Sequence, residues 1–162
     1  MHFPPELERE LRQSVRQARM VAFICMFAAP AMYLVCLGSQ VLRGRWKLFL
    51  AGFSRLPWEN PRVPWVLAAA AVALALALVL PQRLGGMLDP RSALGTLKGR
   101  NLLASGLMVA VAICGLYLGV KIGPPAATLS LVLCLVPMAG GWSVFPSEAG
   151  WREAMGRAGL KP

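Results

Sequence analysis

Four stretches of the chain, residues 20–38, 63–80, 102–120 and 126–144, contain no Asp, Glu, Lys, Arg or His. Each is about as long as a helix must be to cross a hydrocarbon core of roughly 30 Å. The last two are separated only by Lys121–Pro125, whose Gly123, Pro124 and Pro125 stop a helix, so the pattern predicts a membrane hairpin there. A second hairpin is expected from 20–38 and 63–80. The fold class that follows is all-α: a polytopic membrane protein with four transmembrane helices as two hairpins, short amphipathic helices at both termini, and a single membrane domain over 1–162.

The polar segments between the spans have patterns of their own. In 1–19, Pro4 and Pro5 precede Glu6, Glu8 and Glu10, and Arg12, Arg16 and Arg19 follow. That order suits the start of a helix and its dipole. Leu7, Leu11, Val15 and Ala18 fall on one face, which predicts an amphipathic N-terminal helix lying on the membrane surface or against a partner. In the interfacial loop 39–62, Arg43, Arg45, Lys47 and Arg55 are interspersed with Trp46, Phe49, Leu50 and Phe53, a mixture suited to a short helix lying in the headgroup layer, with Trp58 and Trp65 at the interface. Residues 81–101 read as a basic linker, and 145–162 as an amphipathic C-terminal tail whose helix starts near Pro146 and Glu148.

A net charge of +10 raises the question of nucleic acid, but the 17 Lys and Arg sit in short segments flanking the spans. There they hold loops in the cytoplasm and attract anionic headgroups, whereas a nucleic-acid surface needs a soluble face to display them. With the N-terminus inside, eleven Lys and Arg are cytoplasmic and six are outside. The expectation is a multi-pass protein of the cell inner (cytoplasmic) membrane with both termini cytoplasmic, surrounded by membrane lipids and assembled with other subunits or with itself.

Candidate chemistry is sparse. Cys25, Cys36, Cys114 and Cys134 all lie in apolar stretches, and His2 is the single histidine. No CxxC motif or His/Cys spacing suited to a metal or haem occurs, so neither metal nor cofactor is expected. No paired carboxylates, nucleophile with base or phosphate loop occurs, so the reading is not an enzyme. What remains is packing. Gly115 and Gly119 form a GxxxG, and Ser105 and Ala112 extend its small-residue face. Pro30 and Pro137 are candidate kinks, each releasing a backbone carbonyl within a span.

Laying Arg19–Gly38 on Arg100–Gly119 without gaps aligns both ends and matches two alanines and a leucine between them. A duplication of that kind would mean two parallel repeats, each an up-and-down pair. Ala112-Ile-Cys-Gly-Leu-Tyr-Leu-Gly-Val120 resembles the carboxylate-bearing helix of the c or K rotor subunits of rotary ATPases. The resemblance covers about one helix and implies a tandem-hairpin fold. In that family an acid lies six residues before the glycine, and here that position is Val109, so the resemblance does not carry ion exchange with it. A proton or sodium path through lipid needs an ionisable group, and the spans hold none.

The function expected from these features is a non-catalytic integral membrane protein, a structural or accessory subunit of a larger membrane complex. The alternative is a small transporter or channel component whose site is completed by oligomerisation or by other chains.

Overall fold

The computed structural model describes residues 4–51, 58–83, 90–143 and 145–159, and every element among them is helical. Helix α1 spans Pro5–Leu42, 38 residues with Pro30 inside. At 1.5 Å per residue it is about 57 Å long, nearly twice the thickness of a bilayer core. Segments 1–19 and 20–38, distinct in chemistry, are thus one element. Their buried positions keep a single phase across the join, through Leu11, Val15, Ala18, Ala22, Met26, Ala29, Cys36 and Gln40.

A turn at Gly44, where φ is +66°, leads into the short helix α2, Trp46–Ala51, with Lys47 Nζ 5.6 Å from the Trp46 ring. Phe53 and Arg55 of the expected headgroup-layer loop lie outside the described residues. Helix α3 covers Arg62–Arg83, and its first amide donates to Asn60 Oδ1 at 3.0 Å. Helix α4 covers Pro90–Tyr117, so residues 90–101, expected as linker, form its opening turns. It runs into a π-helical turn, Leu118–Ile122. Gly123 then takes φ +78°, a 3₁₀ turn follows over Pro124–Ala126, and α5 runs from Ala127 to Ser143. Helix α6 is Glu148–Gly159.

Four helical stretches are long and apolar enough to cross a membrane: Pro5–Leu42, Arg62–Val79, Ala93–Ile122 and Pro124–Trp142. Helix α4 is their centre, packed against α1, α3 and α5. Helices α1 and α4 run parallel, since Asn101 bonds Ala18 at one end while Gln40 bonds Gly119 at the other. Helix α5 returns antiparallel between them, with Gly115 of α4 beside Cys134 and Gly140 beside Met108.

The first expected hairpin does not form as a packed pair. Helix α3 lies along α4 and has no comparable packing on α1 among the described residues. The reason is in the side chains. Along α3 the buried positions are Val63, Ala70 and Ala77, a narrow seam at every seventh residue, and Val63 clusters with Leu118 and Ala126. One seam serves one neighbour. The inner face of α1 is already covered by α4 and α5, and its outer face carries the exposed Phe23, Ile24, Phe27 and Leu34. Large apolar residues exposed on all the spans are what a bilayer solvates, because lipid removes the cost that water would impose.

Beyond the spans, the N-terminal turns of α1, the opening of α4 and α6 make a second core. Leu11, Val15 and Ala18 meet Ala93 and Leu94 of α4 and Trp151 and Met155 of α6. The apolar face of 1–19 is therefore buried within the chain, a correction to the expectation that it lies on the membrane or on a partner. Around this head Arg152 reaches Glu148 at 3.0 Å and Glu8 at 3.5 Å, and Arg19 Nε donates to the Pro146 carbonyl at 2.9 Å. Partly exposed ion pairs contribute about 0–1 kcal/mol, so burial rather than charge holds the head.

Candidate functional site

A cluster of polar contacts lies at the far end of the α1–α4–α5 junction. It follows from how α4 ends. In the π-helical turn the Gly123 amide reaches back to the Leu118 carbonyl at 3.1 Å, which leaves the next carbonyls without a helical donor. Helix α1 supplies donors. Gln40 Nε2 gives a hydrogen bond to the Gly119 carbonyl at 2.9 Å, and Arg43 Nη1 gives one to the Val120 carbonyl at 3.1 Å. Gln40 is only 1% exposed. In lipid an unsatisfied carbonyl costs several kcal/mol, so a side chain from one helix completes the end of another.

One turn deeper, small side chains let the three backbones approach. A Cβ on Gly115 would lie 2.8 Å from Cys134 Sγ and 2.9 Å from the Ser130 carbonyl oxygen. A Cβ on Gly119 would lie 2.6 Å from Ser130 Oγ and 2.8 Å from Cys36 Sγ. The thiols act as weak donors: Cys36 Sγ to the Leu116 carbonyl at 3.6 Å and Cys134 Sγ to the Ala112 carbonyl at 3.7 Å. Ser130 Oγ donates to Cys36 Sγ at 3.8 Å. Toward the other end the fit is reversed, and the flexible side chains of Met108 and Met26 lie over Gly140 and Gly141.

Of the residues singled out in the sequence, Gly115, Gly119 and Ala112 come together here, and Ser105 is buried further down α4. Pro30 and Pro137 lie inside α1 and α5, half-buried and fully buried, and are not neighbours in this cluster. Val109, aligned with the rotor carboxylate, is partly buried. Gln40 and Asn101 were not among the candidates. Both flank a span by one or two residues and looked like loop residues, yet Asn101, 8% exposed, donates to the Ala18 carbonyl at 3.1 Å. The signal available was a lone amide at a span edge, where a side chain can reach a neighbouring helix's backbone.

Chemically, this arrangement holds helices together. Its donors are amides, a guanidinium, a hydroxyl and thiols, each directed at a backbone carbonyl or at sulfur. No group of three or more His, Cys, Asp or Glu that could hold a metal ion occurs among the described residues. Comparison with protein families, curated proteins and solved structures finds no match to this chain.

Proposed function

We propose that this chain is a non-catalytic integral membrane protein that serves as a structural or accessory subunit of a larger membrane complex. The observation that supports the reading is how the polar side chains of the bundle are used. Gln40, Asn101, Cys36 and Cys134 all bond the backbone of a neighbouring helix, and among the described residues no buried side-chain nitrogen or oxygen lacks a partner. Groups committed in this way fix helix positions. In such a subunit the apolar outer face of α3, with Trp65, Val72 and Val79 exposed, meets lipid or another chain.

Purification from the native source in mild detergent tests this directly. The expected result is co-purification with partner chains at fixed stoichiometry. A chain that purifies alone and drives saturable, ion-selective flux in liposomes replaces the reading with that of a small transporter or channel component.

The same reading gives the chain a cytoplasmic-membrane location with the head inside. Support comes from the Lys and Arg counted by sequence segment, eleven in the two terminal segments and the 81–101 linker against six in the other two connections. It also comes from the ion pair between Glu8 and Arg152, which brings the two terminal helices to one end of the bundle. Reporter fusions at His2 and Pro162 are expected to give the same cytoplasmic signal, and signals on opposite sides would defeat the topology.

A further inference from the structure

We propose that the cleft between α1 and α4 at the head–membrane boundary binds one phospholipid with an anionic headgroup. Two adjoining depressions carry the inference. The first, about 160 Å³, has Ser14, Gln17, Lys98 and Asn101 at its polar end and Ala18, Val21 and Leu102 at its apolar end. The second, about 450 Å³, runs along α4 beside Gly99, Leu103, Gly106 and Leu107 and shares Leu102 with the first. Together they pass from basic and amide-bearing to purely hydrocarbon within a few turns of one helix.

The position matches that change. Residues 20–38 and 102–120 are the uncharged spans, so Gln17 and Lys98 stand about one turn outside the hydrocarbon and Leu103 to Leu107 stand inside it. A phospholipid is amphipathic over the same distance. Its phosphate would meet the Lys98 ammonium and the Gln17 amide, and an acyl chain would lie in the trough beside Leu103 and Leu107. Lys98 is exposed, so it is free to turn its ammonium toward the cleft. Anionic heads are favoured over zwitterionic ones because the cleft offers the Lys98 cation and the Gln17 amide, with no carboxylate among its lining residues.

The trough also permits a clean perturbation. A Cβ at Gly99 or Gly106 meets nothing within 4 Å, so a larger side chain there fills the trough without disturbing the packing of α1, α4 and α5. The proposal needs the chain to span a bilayer and is independent of whether it is an accessory subunit.

The experiment is native mass spectrometry of the full chain released from detergent after titration with phosphatidylglycerol, with phosphatidylcholine, and with inorganic phosphate. Expected is one phosphatidylglycerol retained per chain, held more strongly than phosphatidylcholine, with no retention of phosphate alone. Lys98→Gln should lower phosphatidylglycerol retention about fivefold, the effect of one basic residue near a membrane surface, and leave phosphatidylcholine unchanged. Gly106→Leu should lower retention of both lipids while thermal stability stays at the parent value. Equal retention by the parent, Lys98→Gln and Gly106→Leu proteins overturns the proposal, as does a broad ladder of lipids with no headgroup preference. Phosphate bound without any effect of Gly106→Leu overturns it as well, and would leave a simple anion contact.

Discussion

Gly115→Leu is expected to destabilise the bundle by about 3 kcal/mol, the upper end of what overpacking a close contact costs. The first atoms in its way are Cys134 Sγ at 2.8 Å, the Ser130 carbonyl oxygen at 2.9 Å and the Cys134 amide nitrogen at 3.1 Å. Two of the three are backbone. A side chain can rotate aside, but these atoms retreat only if α5 moves away from α4, and that movement breaks the Cys134 thiol bond to the Ala112 carbonyl. Thermal unfolding in detergent checks the effect, with Gly106→Leu as the reference because its Cβ enters open space. The two leucines have the same helix propensity and hydrophobicity, so any difference between them reports the local fit. Equal melting temperatures would mean that α4 and α5 are not in close contact at this point.

The same local geometry shows what could and could not be read along the chain. The spans were legible because the bilayer imposes length and apolarity on each helix separately, whatever it packs on. The break at Gly123-Pro124-Pro125 was legible for a similar reason, since proline and a positive-φ glycine act on their own backbone. Pairing is a property of two surfaces. From Val66 to Leu80 of α3 every position is Ala, Leu or Val, so composition does not single out the seam of Val63, Ala70 and Ala77 that meets α4.

The parallel pairing of α1 with α4 left more of a trace. Residues that meet across it are separated by 83 positions at Asn101, 80 at Leu116 and 79 at Gly119. The ungapped alignment of Arg19–Gly38 with Arg100–Gly119 has an offset of 81. Two parallel repeats placed side by side would bring like residues level in this way. The second helices of the two units differ, however: α5 packs on both α4 and α1, while α3 packs on α4 and not comparably on α1. Gln40 was illegible for another reason. Its role depends on the carbonyls that the π-helical turn at the end of α4 leaves open, and nothing near Gln40 in sequence encodes that turn.

Leu11→Asp is expected to open the head while leaving the spanning bundle intact. Leu11 has no exposed surface and sits among Val15, Leu94, Trp151 and Met155. A carboxylate there is surrounded by hydrocarbon, with Glu10 next to it in the chain and Glu8 one turn back on the same helix, and burying an unpaired charge costs about 4 kcal/mol or more. The head can relieve that cost by releasing α6. The spans cannot follow, because lipid keeps their apolar surfaces and backbone bonds in place. Trypsin cleavage at Arg152, half-buried in the head, should then rise on the order of 10³-fold, since cleavage tracks the open population when opening is fast. Leu11→Met keeps the volume and should cost less than about 1.5 kcal/mol, leaving Arg152 protected. The alternative position for residues 4–19, flat on the membrane surface, predicts a different result: Asp at position 11 would loosen that segment from the lipid and leave cleavage at Arg152 unchanged.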